Sequence, residues 1–483
     1  MPEPEPRTQP RPAPTTEQIS ARVASGVLDE VLSTIERTGG CSQPLRLKGG
    51  FTEVDTATGT ARPVWSTTGQ VGQALMVACG NRRASRCPAC ADTYQGDTFH
   101  LIRSGLLGGD KGVPEQVREH PRVFATLTAP SFGPVHRGPA PSGETTVCHP
   151  RRTGAACYRR HRAGDPAIGR PLALDGYDYD GHVLWNNHAG DLWSRFTVYL
   201  KRHLADAAGV GRGEFDRLVR VSYAKVAEFQ ARGVVHFHAV IRLDARRTDG
   251  TVEPPPGWAT VDLLTAAIRS AAAAVVVPVS SPSGSRFLAW GEQVDVHPIT
   301  TGAFTGGRVD EEAVAAYIAK YATKSTTEDG TLDRRVLVGA PLEHLGLSAH
   351  QRALILACWR LSQTPGMEDR KLDRWSHTLG FRGHFSTKSR RYSTTLGALR
   401  QVRRDFRKGQ ALASGRDRLL GDLPTTGNET GTTLIVAEFS FAGQGYAHEV
   451  DRWLAESHHR RKVMSRRVAR EQLAELAELG EVA

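Results

Sequence analysis

No stretch of this chain is apolar for long enough to cross a bilayer. The longest run, Ala271 to Val277, falls far short of the roughly 20 residues a spanning helix needs. The N-terminus reads Met1-Pro2-Glu3-Pro4-Glu5-Pro6 with no apolar stretch behind it, so no secretory signal is expected. Cysteine is sparse and odd in number, seven in 483 residues, which argues against a disulfide framework and for a cytoplasmic location. There is no Gly-x-x-x-x-Gly-Lys-Ser/Thr phosphate loop, so the chain should carry no nucleotide-driven motor of its own. Acidic residues are outnumbered, 51 against 62 Lys and Arg. The resulting net charge of +11 points toward a polyanionic partner. No internal repeat is visible, and the oligomeric state is left open.

What is present is enough chain for two or three domains. Residues 1–14 hold six prolines and read as a disordered tail. Over 15–40, Thr15 and Gln18 match a capping box, and Ile19, Val23, Val27, Val31 and Ile35 follow at helical spacing up to Gly39-Gly40. Residues 41–95 carry four of the seven cysteines. Residues 96–330 are expected to form the main domain. It would comprise a strand over Val123–Thr128, a long loop or insertion over 131–182, an amphipathic helix over 192–204, a hairpin over 218–243 and a helix over 263–277. Residues 331–450 read as a basic C-terminal region with an isolated strand near 433–441, and 451–483 as a charged helix.

Two segments carry the chemistry. Residues 235–241 read Val-His-Phe-His-Ala-Val-Ile. A strand alternates its side chains, so His236 and His238 share one face while Val235, Phe237, Ala239 and Ile241 anchor the other. A hairpin centred on Arg232 puts Glu228 opposite His236, with Cβ atoms about 5 Å apart, unless a bulge at Gly233 shifts the register by one. A His, His, Glu set with open positions suits Mg²⁺ or Mn²⁺, Mn²⁺ tolerating imidazole better. The bland alternative is a pair of partly exposed histidines beside a surface glutamate.

The second segment, residues 317–324, reads Tyr-Ile-Ala-Lys-Tyr-Ala-Thr-Lys within a helix expected over Glu311–Thr323. Tyr317 and Tyr321 are neighbours one turn apart, their Cβ atoms about 6 Å from one another, and so are Lys320 and Lys324. A phenol ionises near pH 10, so as a nucleophile it needs nearby positive charge or a metal, which the lysines are placed to supply. Alternatively the tyrosines pack in a core and the lysines snorkel. Taken with the hairpin, the pattern fits attack of a tyrosine on a DNA phosphate, with Tyr321 favoured for the first cut.

Cys41, Cys79, Cys87 and Cys90 could form a tetrahedral thiolate site. Cys87-Pro-Ala-Cys90 also fits a redox pair, but Arg82, Arg83 and Arg86 in the same loop favour a zinc knuckle that touches DNA. Residues 381–408 hold nine Lys or Arg against one acid. They include Lys388, Arg390, Arg391, Arg403 and Arg404, which read either as contacts to DNA phosphates or as a solvated basic face.

Phe124-Ala-Thr-Leu-Thr128, Val235-His-Phe-His238 and Tyr317-x-x-Lys-Tyr-x-x-Lys324 resemble, in order, the three motifs of rolling-circle replication initiators of the His-hydrophobe-His endonuclease superfamily. The paired tyrosines and the Glu228–His236 spacing look most like the bacteriophage A-protein branch. A resemblance to replication initiators of actinobacterial plasmids and integrative conjugative elements spans most of the chain. It rests on Cys79-Gly-Asn-Arg-Arg-Ala-Ser-Arg-Cys-Pro-Ala-Cys90, Thr126-Leu-Thr-Ala-Pro-Ser-Phe-Gly133, Ser222-Tyr-Ala-Lys-Val-Ala-Glu-Phe-Gln230 and Gly383-His-Phe-Ser-Thr-Lys-Ser-Arg-Arg-Tyr-Ser-Thr-Thr395.

The resemblance implies an α+β fold with a five-stranded antiparallel sheet flanked by helices. It also implies a divalent metal on His236 and His238, and single-strand nicking at a double-strand origin by Tyr317 or Tyr321. A host helicase and polymerase would then be needed. Where the resemblance calls for Cys-x-x-Cys before Tyr177-Asp-Tyr179, this chain has Ala173-Leu-Asp-Gly176, which argues against a second zinc site built on Cys148 and Cys157. The competing readings are a conjugative relaxase or transposase of the same superfamily, and a non-catalytic origin-binding regulator.

Overall fold

The computed structural model describes residues 13–109, 112–140, 142–249, 251–282, 284–299, 314–319, 332, 334–414 and 433–480. They divide into two compact units. Of the described residues, Asp97–Thr395 make the first; residues 13–96 and those from Leu396 onward make the second.

In the second unit, the single helix expected over 15–40 is two helices, α1 (Thr16–Ala24) and α2 (Leu28–Arg37). The Thr15–Gln18 capping box forms, but Gly26 at φ +70° breaks the run. Of the five spaced apolar residues only Val31 and Ile35 are buried. Strands β1 (Leu45–Asp55), β2 (Ala61–Ser66) and β3 (Leu75–Val77) follow, then helix α3 (Pro88–Leu107), which starts here.

The first unit contains β4 (Arg122–Leu127), α4 (Tyr179–Ala207), α5 (Arg212–Leu218), β5 (Val219–Phe229), β6 (Val235–Ala245) and α6 (Val261–Ala274). Then come β7 (Val276–Ser281), β8 (Gly284–Ala289) and β9 (Val294–Pro298), a helical segment over 314–319, α7 (Ala349–Ser362) and β10 (Ser386–Lys388). Five strands form one antiparallel sheet in the order β10-β5-β6-β4-β9. The boundary expected near 330 therefore does not coincide with the units, because β10 completes this sheet. The helix expected over 192–204 begins earlier, where Asp178 caps α4 by accepting from the Gly181 N–H at 2.9 Å. The helix expected over 263–277 ends at Ala274, and the β-branched residues after it become β7.

One face of the sheet is a core. Val235, Phe237, Ala239, Ile241 and Leu243 of β6 are fully buried there against α4, with Trp193 edge-on to Phe237 at 5.7 Å. α4 also pins the hairpin tip. Buried Asn186 donates to the carbonyls of Gly233 (3.0 Å) and Leu379 (2.9 Å) and accepts from the Val235 N–H (3.0 Å). Gly233 sits at φ +83°, and a Cβ there would stand 2.7 Å from a Leu379 methyl.

The opposite face holds a buried polar network at its far end. Asp244 accepts from Arg242 Nε (2.6 Å), Ser222 Oγ (2.5 Å) and His120 Nδ1 (2.8 Å). Burial would raise the Asp244 pKa, but the His120 and Arg242 partners hold it below the ordinary carboxylate value. Arg242 and Arg122 reach on to the carbonyls of Gly105 and Leu106 at the end of α3.

The second unit is completed by α8 (Leu396–Ser414), β11 (Thr433–Gln444) and α9 (Glu449–Gly480). β11 is not isolated, as expected from sequence, but pairs antiparallel along the whole of β1. Arg22 of α1 grips Asp451 of α9 through two bonds of 2.7 and 2.6 Å.

Candidate active site on the β5–β6 hairpin

The β5–β6 register runs without a shift from Val219–Ala245 to Phe229–Val235, and it sets Glu228 opposite His236. No bulge intervenes at Gly233. The side chains of Glu228, His236 and His238 converge: Glu228 Oε2 lies 2.9 Å from His236 Nε2 and 3.0 Å from His238 Nε2, and the two nitrogens are 3.2 Å apart. Three ligands on one face of an octahedral ion at about 2.0–2.2 Å stand about 2.8–3.1 Å from each other, against about 3.3 Å for nitrogens around tetrahedral zinc. Two edges fall in the octahedral range and the third, at 3.2 Å, lies between the two geometries, so the spacing accommodates a divalent cation without selecting its geometry.

The surroundings orient these side chains. His238 Nδ1 is bonded to Thr126 Oγ1 of β4 at 2.9 Å, which turns Nε2 toward the triangle. Phe124, on the same strand face, stacks on the His238 ring at 5.7 Å. Burial pushes His238 below the ordinary imidazole value, partly opposed by its bond to Glu228, so the ring is neutral and able to donate a lone pair at pH 7.

Tyr317 completes the group. It lies on the helical segment over 314–319, with its ring edge-on to His238 at 5.0 Å and to Phe124 at 5.6 Å. Its hydroxyl is 3.3 Å from His238 Nε2, and 37 % of the residue remains exposed. Tyr321, Lys320 and Lys324 lie outside the described residues, as do both expected ends of their helix.

The remaining sequence-predicted residues are scattered. Lys388 is half-buried, its ammonium donating to the carbonyls of Ser389, Arg390 and Ser393 at 3.4, 3.4 and 3.1 Å. It holds the turn that presents exposed Arg390 and Arg391. Arg403 and Arg404 lie on α8 in the second unit, Arg404 bonded to Gln401. Arg82 and Arg83 are partly buried and Arg86 is exposed.

Cys41, Cys79, Cys87 and Cys90 gather as a possible metal site, with Cys87–Cys41 and Cys79–Cys90 sulfur separations of 3.7 and 3.6 Å. Sulfurs around a tetrahedral zinc stand about 3.8 Å apart, so the quartet is consistent with zinc. Backbone N–H groups of Cys79 and Asn81 point at the Cys41 and Cys79 sulfurs at 3.3 and 3.5 Å, contacts that would favour thiolates on a metal. Sequence reasoning missed Thr126 as a partner of His238, although its strand was part of the quoted motif. It also argued against a metal cluster in the 131–182 insertion, where His136, Cys148, Cys157 and His161 come together.

A family model described as "Replication initiator protein, pSAM2" matches residues 27–460, which span all three candidate metal clusters. The chain belongs to this replication initiator family. A replication initiator protein from Streptomyces ambofaciens is 48% identical over 417 residues, covering 85% of this chain and 86% of the relative. The resemblance to actinobacterial plasmid initiators read from the sequence is thus borne out over most of the chain. No solved structure matches. Among the described residues, no helix is long and apolar enough to cross a membrane.

Proposed function

We propose that this chain initiates rolling-circle replication by cutting one DNA strand at an origin, as an endonuclease of the His-hydrophobe-His type. The observation that carries this reading is the Tyr317 hydroxyl held 3.3 Å from His238 beside the Glu228–His236–His238 triangle. Glu228, His236 and His238 would hold Mg²⁺ or Mn²⁺, which supplies Lewis-acid polarisation of the scissile phosphate. Attack of the phenolate oxygen forms a phosphotyrosine bond and breaks the P–O3′ bond. The phenol gives up one proton and the departing 3′ oxygen takes one up, so the step is balanced and reversible. The bond energy stays in the 5′-phosphotyrosine, and the reverse attack by a 3′-hydroxyl rejoins the strand.

A second phenol on the same helix face would let the pair alternate between cutting and holding, and Tyr321 fills that place in the sequence. Tyr321 was favoured there for the first cut; the described geometry supports Tyr317 as a competent nucleophile.

The origin DNA would be held by Arg82, Arg83, Arg86, Arg390, Arg391, Arg403 and Arg404, and a host helicase and polymerase would extend the nicked strand. The cysteine quartet would carry structural zinc.

The test is nicking of a supercoiled plasmid bearing the element's origin, with mass mapping of the covalent adduct. The expected adduct lies on Tyr317 or Tyr321 and disappears in Y317F/Y321F. Cleavage that persists in that double variant, or an adduct on another tyrosine, would overturn the mechanism. Origin binding without any cleavage would favour the regulator reading.

A further inference from the structure

Between β4 and α4 the chain makes a long excursion whose ends, through Ala129, Phe132 and Tyr177, join the main core, while the described residues of its middle, 137–170, bring no aliphatic or aromatic side chain into a core. Over residues 137–170, the described buried side chains are Cys148, His149, Cys157 and His161. Ordering some thirty residues costs backbone entropy that hydrophobic burial normally offsets. Here that burial is missing, and what lies at the centre is a set of ligands. The geometry points to a second tetrahedral zinc site in this excursion, built from His136, Cys148, Cys157 and His161.

The separations match a bound ion. His136 Nδ1 and His161 Nε2 are 3.2 Å apart, Cys148 Sγ is 3.7 Å from His136 Nδ1, and Cys157 Sγ is 3.5 Å from His161 Nε2. Around Zn²⁺ with bonds of about 2.3 Å to sulfur and 2.0–2.1 Å to nitrogen, tetrahedral edges are about 3.3 Å for N–N and about 3.5 Å for S–N. Two thiolates with two imidazoles form a closed donor set of the kind that holds structural zinc.

The outer partners are those a metal site needs. His161 Nδ1 donates to Asp165 Oδ2 at 2.7 Å, which directs Nε2 at the centre. The Arg137 N–H points at Cys148 Sγ at 3.2 Å. The backbone frame is built around the same residues. His149 and Cys157 exchange two bonds of 2.8 and 2.9 Å, and His136 is bonded to Arg170 and Gly169 at 2.8 and 2.9 Å where the excursion closes. The ion would thus pin a loop that carries Arg151, Arg152, Arg159, Arg160 and Arg162 on its outside. The missing Cys-x-x-Cys before Tyr177 does not weigh against this site, because two histidines supply the remaining ligands.

The test uses the full chain with H236A/H238A as parent, so that the hairpin contributes no metal. Zinc is measured by mass spectrometry after purification under reducing conditions. C148S/C157S should carry one zinc equivalent fewer per chain than its parent; an unchanged content overturns the site. Should the variant fail to fold, X-ray absorption on the parent decides. A zinc shell mixing sulfur with histidine nitrogen is expected, and an all-sulfur shell, or a Cys148–Cys157 disulfide cross-link in its peptide map, overturns the proposal. Asp165→Asn should weaken zinc retention against a chelator 10–100-fold. An unchanged affinity would remove the positioning role given to Asp165.

Discussion

The hairpin triangle and the cysteine quartet are both candidate ligand clusters, but the chain builds them in opposite ways. Glu228, His236 and His238 project from two strands whose other face is a continuous apolar core, so register and packing set their positions before any ion arrives. Cys41, Cys79, Cys87 and Cys90 come from segments up to 49 residues apart and form, with Ala89, a small buried cluster of their own. There the ligands are the core. A site for chemistry is preorganised by the fold, whereas a site for structure substitutes for one.

That contrast predicts a graded response in stability. Stripping zinc from the quartet, or C87S/C90S, should have the largest effect. Structural zinc is worth on the order of 10 kcal/mol in small domains, so the second unit should lose its cooperative transition in calorimetry. Retention of that transition in a zinc-free, reduced sample would break the comparison.

Next comes Asp244→Ala, which leaves Arg242 buried without its carboxylate. Urea unfolding should show a loss of about 3–5 kcal/mol in the first unit, and a loss below about 1 kcal/mol would mean the network does not hold α3 to the sheet.

Lys225 should move stability the other way. It sits on the core face of β5, 6 % exposed, its ammonium 3.9 Å above the Phe237 ring, and burial lowers its pKa to about 8. The folded value lies below the unfolded one, so the native state binds the proton more weakly. The penalty is complete below about pH 8 and fades as pH rises from about 8 to about 10.5. Lys225→Met should therefore raise stability at pH 7 by about 1–3 kcal/mol and flatten the rise above pH 8. A variant that keeps the wild-type pH slope would show that Lys225 is not its source.

The smallest effect on stability belongs to the hairpin face that carries the two histidines. His236→Ala and His238→Ala should each change unfolding free energy by no more than about 1 kcal/mol, because the apolar side of β6 is untouched. Nicking should nonetheless vanish and duplex origin binding persist. EDTA should reproduce the loss and Mn²⁺ or Mg²⁺ should reverse it in the wild type. A large drop in melting temperature would place these histidines in the core rather than in a site.

Local spacing carried much of this into the sequence. Period-two alternation put His236 and His238 on one face, and the turn at 230–234 set their pairing with Glu228, because strand register propagates from a tight turn residue by residue. Cys87-Pro-Ala-Cys90 was likewise legible as one half of a cluster. The pairing of β11 with β1 joins residues nearly 400 positions apart, and β10 enters the sheet from beyond the expected domain boundary; no local pattern encodes either. The charge of Lys388 is readable in one dimension, whereas the three carbonyls that its ammonium meets are not. His136, Cys148, Cys157 and His161 are spaced irregularly along a loop without periodicity, so only closure of the excursion brings them together. Sequence determined what neighbours along a strand or helix would share, because backbone geometry repeats. Tertiary structure decided which distant segments meet, because that depends on which buried surfaces and ligands repay the entropy of closing the chain between them.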